Sequence, residues 1–127
     1  MAEWRRRALE AFPDLAPDIR DAEFSLHDLF RELVPKAMDA HRADDGASLD
    51  RIYGYARWCL LHPHKELWNP AGVSFYEHLF EDWDLRRQVA SRLDSESVDR
   101  CVGLWELMLD KARFEELKQL LKVQAAS

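Results

Sequence analysis

The sequence predicts an all-α fold of about five to seven helices, mostly joined by short connections as antiparallel hairpins. Apolar residues recur at helical spacing in several stretches, most of which begin at a residue type that caps helices. The chain has only 4 Gly and 5 Pro, few for a protein of many short strands and turns. No stretch alternates apolar and polar residues, as a half-buried strand does, over more than a few positions.

Residues 1–24 are expected to form an N-terminal cap region of a single domain that extends over all 127 residues. A short helix is predicted over Ala2–Ala11, and two prolines then break the pattern. Ser25 is expected to cap the next helix, which has an apolar stripe over residues 26–41. Because Pro35 lies inside this stripe, the pattern predicts either a kink or two shorter helices.

Two further helices are predicted in the middle of the chain. Ser48 is expected to cap a helix with an apolar stripe over Leu49–Leu60, and a loop is expected over His62–Trp68. Asn69–Pro70 then offers a cap and a first helical residue in the preferred order. The helix that follows is expected to have one face lined by Val73, Tyr76, Leu79, Phe80 and Trp83.

The last third begins with a short helix from Asp84, after which Ser95 or Ser97 is expected to cap the most regular stripe of the chain. Residues 110–127 form a predicted C-terminal helical extension, either a bent continuation or a helix turned toward another surface. Its out-of-phase apolar residues are Phe114, Leu117, Leu120 and Leu121. They cover either the domain itself or a second copy, so a homodimer through Phe114, Leu117 and Leu121 is one predicted assembly.

Charge and composition restrict the class of partner. Subtracting 24 acidic from 18 basic residues gives a net charge of −6, which argues against binding to nucleic acid or to anionic membranes. The arginines near the start precede no long apolar run, so we expect neither a secretory signal nor a membrane span, and a cytoplasmic location. Cys59 and Cys101 lie on apolar stretches and are expected to be free, buried residues.

One group of residues has the chemistry of a metal site. Its members are Cys59, His62, His64 and Glu66, with His78 further along the chain. A structural zinc site generally pairs two close ligands with a second close pair, and this sequence lacks the second pair. We therefore expect a buried cysteine and two histidines in an exposed loop, with no metal and no other cofactor, and retain Cys59, His62 and His64 as weak candidates.

Motifs for catalysis are missing from the sequence. Ser74 lacks the glycines of a nucleophile elbow, and the four glycines are isolated rather than grouped in a phosphate-binding loop. These observations favour a protein without enzymatic activity. Binding to another protein then follows by elimination.

A group of acidic residues is the candidate surface for such binding. Its members, with the two tryptophans that bracket them, are Trp68, Glu77, Glu81, Asp82, Trp83 and Asp84. Carboxylates at a helix end are most often its solvated face. Tryptophan, however, is enriched at interfaces, and a negative surface with aromatic anchors suits a basic partner protein.

The order of segments also carries a resemblance. An apolar helix containing Asp28–Pro35 is followed by an acidic turn, then by Leu49–Leu61, Val73–Leu79 and Leu93–Trp105. This order, over residues 10–107, resembles an uncharacterised bacterial family of small all-helical proteins. The resemblance implies a short right-handed HEAT-like stack of hairpins, and some members are suspected to be toxin-immunity proteins. Because no fixed repeat period is visible, an orthogonal bundle remains the alternative.

Two hypotheses remain open. The first is an interaction protein, in the form of an immunity or antitoxin-like inhibitor, whose acidic residues mask a basic region of a toxin or other protein. The second is a small ligand-binding or enzyme domain with a pocket between helices. The residues of that pocket would be Tyr55, Trp58 and Tyr76, with His62, His64 or His78 as the polar group.

Overall fold

A computed structural model describes the backbone of residues 1–126 and the side chains of residues 1–122, and this part of the chain contains helices and turns without a strand. The α-helices are α1 (Glu3–Ala11), α2 (Ala16–Arg20), α3 (Leu26–Arg42), α4 (Gly46–Leu60), α5 (Lys65–Ser74), α6 (Arg86–Ala90), α7 (Ser95–Met108) and α8 (Lys111–Ala126). Short 3₁₀ turns lie at Pro13–Leu15, Tyr76–His78 and Trp83–Leu85. The predicted all-α class is confirmed. Among the described residues, no helix is both long and apolar enough to cross a membrane.

Helix α3 begins at the predicted cap and continues through its proline. The Ser25 hydroxyl accepts from the Asp28 amide at 3.1 Å, and the Asp28 carboxylate accepts from the Ser25 amide at 2.9 Å, which completes a capping box. The alternative of two shorter helices is wrong, because α3 is one helix through Pro35. Pro35 and Arg31 are exposed, so water can hydrate the Arg31 carbonyl that Pro35 leaves without a helical donor.

Two helices begin at an aspartate rather than at the predicted serine. Asp45 caps α4 by accepting from the Ser48 amide at 3.2 Å, and Asp94 caps α7 by accepting from the Ser97 amide at 2.8 Å. Both sites have the pattern Asp-x-x-Ser, in which either residue type is a good cap. The first residue takes the position because its side chain reaches the amide three residues ahead.

The predictions for residues 62–83 are wrong in two respects. Helix α5 begins at Lys65, so the expected loop is limited to residues 62–64, and Pro70 lies inside the helix rather than at its start. The same helix ends at Ser74, and the chain then forms the turn Tyr76–His78 instead of a helix to Trp83. On this irregular segment Phe75, Leu79 and Phe80 are all buried, so its apolar side chains are covered without a regular helix.

Helices α3, α4 and α5 each contact both of the others, and α1 covers α4. This mutual contact of three consecutive helices is the packing of a bundle. Helix α7 packs on α5 and on the Tyr76–His78 turn, and the buried Trp105 side chain fills that contact. Cys59 and Cys101 are free and buried, as predicted.

The C-terminal extension is a separate helix. Leu109 is extended at φ −91° and ψ 149°, so the bent continuation is wrong and the turned helix is confirmed. Helix α8 packs on α6 and α7, with Phe114 8% exposed and Leu117 0% exposed. Leu121 also packs against this core. These residues therefore cover their own chain, which leaves little of the stripe for a second copy.

We expect Leu117→Ala to lower the free energy of unfolding by about 2–5 kcal/mol, because it removes a fully buried side chain and leaves a cavity. Leu120→Ala on the same helix is the control, with a smaller loss because Leu120 is partly exposed. Urea denaturation followed by circular dichroism measures both. Equal, small losses would contradict the docking of α8.

Candidate functional site

The acidic segment, residues 77–84, lies on the irregular chain between α5 and α6 rather than on a helix. Two of its four carboxylates are engaged by the chain itself, since Asp82 pairs with Arg42 of α3 and Glu81 bonds to His78. The Oε2 atom of Glu77 lies 3.7 Å from Nε2 of the same histidine. Asp84 is exposed and makes no ion pair with any described side chain. Less negative charge is available to a partner than the sequence indicates.

The two predicted tryptophan anchors have different surroundings. Trp83 is half-buried, and its ring centroid is 5.0 Å from the guanidinium of Arg86 and 5.3 Å from that of Arg113. Its carbonyl also accepts from Arg86 at 2.9 Å. Cation–π contacts of this kind hold α6 and α8 to the acidic segment. Trp83 therefore has a role within the chain.

Trp68, in contrast, lies on α5 beside a groove that the predictions did not include. This α5–α7 groove has a volume of about 340 Å³ and is lined mainly by apolar residues, among them Trp68, Val73 and Leu104. Trp68 is 38% exposed. Beyond the groove, on the same helix as Leu104, Leu107 is 85% exposed and Met108 38% exposed. The structure thus separates Trp68 from Trp83 and joins it to an apolar surface of α7.

The weak metal candidates do not form a cluster. Cys59 is buried, and burial raises the pKa of its thiol to about 12, so the thiol stays protonated at neutral pH. His62 and His64 lie in the turn after α4 with ring centroids 4.7 Å apart, and the His64 amide donates to His62 Nδ1 at 3.1 Å. Among the described residues, no three potential ligands are grouped for a metal ion.

The aromatic residues that were expected to line one pocket do not come together in the structure. Tyr55 is buried and donates to the Trp4 carbonyl at 2.9 Å, and the Trp58 ring lies 4.3 Å from the Arg7 guanidinium. Both side chains thus attach α1 to α4. Of the expected aromatic residues, Tyr76 does line a cavity, but beside residues that the sequence did not single out.

That cavity is a polar crevice of about 200 Å³ between α4, the Tyr76–His78 turn and the start of α7. Two ion pairs line it, Arg57–Asp94 and Arg92–Asp50. Three residues with hydroxyl groups line it too, namely Tyr53, Tyr76 and Ser97. No motif marks these residues, because they come from distant parts of the chain and their types are common on helix surfaces. The one signal available in the sequence was Tyr53, a residue with a hydroxyl group within the apolar stripe of α4.

Behind the crevice, His41 of α3 meets Tyr53 of α4. His41 is 7% exposed, and its Nε2 lies 2.8 Å from the Tyr53 hydroxyl. Burial, aided by the nearby charge of Arg92, lowers the pKa of His41, while burial raises the pKa of Tyr53. Both side chains are therefore neutral at pH 7, and they form a buried polar contact within an apolar core.

A wider concavity of about 690 Å³ lies between residues 10–15 and the facing parts of α3 and α4. Its lining mixes acidic side chains such as Asp39 with basic ones such as Lys36. Among the described residues, Ser97 Oγ is the one buried side-chain nitrogen or oxygen atom without a hydrogen-bond partner within the usual distance and angle limits. Ser97 lines the polar crevice and not this concavity. The crevice and the α5–α7 groove are therefore the two candidate sites.

These features define a small all-helical protein with two candidate sites, the polar crevice and the α5–α7 groove. The chain belongs to the family described as Domain of unknown function (DUF7674), whose model matches residues 5–106. An uncharacterised family was expected, over nearly the same residues, and is confirmed. The match covers α1 to most of α7, whereas α8 follows it. Comparison with curated proteins and with solved structures found no significant match.

We expect the stability of the protein to fall as the pH is lowered from about 8 to about 5. Because the pKa of His41 is lowered in the folded protein, the unfolded chain takes up a proton at this residue before the folded protein does as the pH falls. The contribution of neutral His41 to the free energy of unfolding is therefore fully present above the unfolded pKa of about 6.5 and is lost progressively below it. His41→Gln keeps hydrogen-bonding groups for Tyr53 but does not titrate, so its profile should be flatter. Urea denaturation across this pH range measures the slope.

His64→Gln is the control for the pH profile, because His64 is exposed and should leave the slope unchanged. A His41→Gln variant with the slope of the parent protein would contradict the assignment.

Proposed function

We propose that this chain is a protein-binding domain and that its α5–α7 groove receives an apolar segment of a partner protein. The observation that carries the proposal is the exposure of Leu107, at 85%, and Met108, at 38%, on the helix whose Leu104 lines the groove with Trp68. Contiguous exposed apolar surface on a soluble protein marks interaction sites more often than chance. Tryptophan is among the residues that contribute most to binding energy at such sites.

Helix geometry supports a single continuous surface. Leu104, Leu107 and Met108 are separated by three and four positions, so they are neighbours on one side of α7. Leu104 also faces α5, since a Cβ atom added at Gly72 would lie 3.6 Å from its Cδ1. The small residue at position 72 thus brings α5 and α7 close, and the apolar surface extends from the groove to the end of α7.

Charge supports a basic partner. The net charge is −6, and the acidic segment begins at the Tyr76–His78 turn, which packs on both α5 and α7. Opposite charges near an apolar contact accelerate association and select partners. An immunity protein that masks the basic surface of a toxin, in a bacterial cytoplasm, is the specific form of this proposal that the resemblance favours.

Binding through the groove should depend on Leu107. We expect Leu107→Glu to weaken affinity for the natural partner by about tenfold or more, because a charge would be placed against apolar surface. Ala112→Glu, an equally charged change at an exposed position of α8, should leave the affinity unchanged. The partner is identified by cross-linking in source cells, purified, and titrated calorimetrically against all three proteins.

Full affinity in both Leu107→Glu and Met108→Glu would refute the groove as the docking surface. Light scattering of the unmodified protein distinguishes a second copy of the chain from a different partner. A homodimer that survives Leu107→Glu would instead favour the predicted interface of Phe114, Leu117 and Leu121, which would require α8 to move from its buried position.

The acidic segment should act on the rate of association. Glu77→Lys combined with Asp84→Lys is expected to reduce the association rate constant about tenfold at low salt, with a much smaller effect at high salt where charges are screened. Asp82 is left unchanged because it pairs with Arg42. Surface plasmon resonance with the purified partner measures the rates.

The control for net charge is Glu10→Lys combined with Glu23→Lys, which changes two exposed acidic residues near the N-terminus. If both double variants slow association equally, overall charge rather than the acidic segment is responsible.

A further inference from the structure

We infer that the polar crevice is a binding site for a small zwitterion that has a carboxylate and an ammonium group, as in a free α-amino acid. This site is separate from the protein-binding surface proposed above, because none of its lining residues lines the α5–α7 groove. Three features carry the inference: the balance of charge in the crevice, the hydroxyl groups around it, and its size.

The charges of the crevice are balanced. Arg57 donates to the Asp94 carboxylate through Nε, and Arg92 donates to the Asp50 carboxylate through Nη1. A guanidinium has five N–H groups and a carboxylate has about four acceptor positions, so both pairs keep hydrogen-bonding capacity. A simple anion would meet two carboxylates there, and a simple cation two guanidinium groups. A zwitterion satisfies both signs at once without changing the net charge.

The hydroxyl groups around the crevice offer hydrogen bonds to a polar ligand. Ser97 is 1% exposed, and its Oγ has no hydrogen-bond partner among the described residues. Buried hydroxyls without partners are rare in folded proteins. Across the crevice, the Tyr53 hydroxyl bonds to His41 and has capacity for a further hydrogen bond. A polar ligand would supply what the protein itself does not.

The size of the crevice limits the ligand. A volume of about 200 Å³ corresponds to about six or seven water molecules at roughly 30 Å³ each. Glycine, alanine and serine fit within this volume. The side chains of Arg57 and Asp94 are each more than one third exposed, so the crevice is open to solvent on their side.

Gly54 allows the crevice to be filled without altering a charged residue. It is an exposed residue of α4 that lines the crevice, and a Cβ atom added there meets nothing within 4 Å. Gly54→Leu therefore places a side chain at the wall of the crevice. Gly103→Leu is the matched control, because Gly103 is also helical, exposed and free of neighbours within 4 Å, but does not line the crevice.

The experiment measures calorimetric affinity and melting temperature with glycine, L-alanine and L-serine, and with inorganic phosphate and methylamine as single-charge probes. We expect the amino acids to bind the parent protein and Gly103→Leu equally, and to bind Gly54→Leu at least about tenfold more weakly. Ser97→Ala should raise the melting temperature without ligand, since it removes an unpartnered buried hydroxyl, while weakening ligand binding.

Three results would overturn the inference. Failure of all three amino acids to bind the parent protein would remove the site. Equally tight binding of phosphate or methylamine would show that one charge is sufficient. Unchanged affinity in Gly54→Leu would place the amino acid elsewhere. Partner binding through Leu107 is measured separately, so each outcome leaves the proposed protein-binding function to its own test.

Discussion

The buried indole of Trp105 is the contact on which the arrangement of the other parts depends. It is fully buried, its Nε1 donates to the Tyr76 carbonyl at 2.8 Å, and its ring meets Phe80 edge to face at 5.0 Å between centroids. The segment between α5 and α6 consists of short 3₁₀ turns rather than a continuous helix, so side-chain contacts help to hold it in place. By fixing this segment against α7, Trp105 positions Tyr76 at the polar crevice.

Helix α7 consequently separates two kinds of binding surface. Its first turn, capped by Asp94, contributes charge and a buried hydroxyl to the crevice, whereas Leu104, Leu107 and Met108 present apolar surface beside α5. A polar site selects ligands by hydrogen bonding, and an apolar surface contributes area for a larger partner. Under the two proposals, the same helix contributes to both sites, because its buried face is narrow and both flanks remain accessible.

The polar residues inside the bundle also have a structural consequence. A buried hydrogen bond adds little to the net free energy of unfolding, but a buried polar group that loses its hydrogen-bond partner destabilises the folded state. The contact between His41 and Tyr53 thus disfavours any packing of α3 on α4 that does not align these two side chains. In this way a contact that contributes little to overall stability helps to define the positions of the crevice walls.

The sequence by itself determined the helical class, the buried cysteines and the stripe of α3 with its Ser25 cap, because these depend on spacing and on local hydrogen bonds. It placed the caps of α4 and α7 at serines, whereas the structure has Asp45 and Asp94 there, since both residues of an Asp-x-x-Ser pattern are capable caps. The candidate sites were decided only by tertiary structure. The pairing of Arg57 with Asp94, and of His41 with Tyr53, requires residues from separate helices to meet. Helical periodicity does not predict these contacts between separate helices, because the contacts depend on how the buried faces of the helices pack.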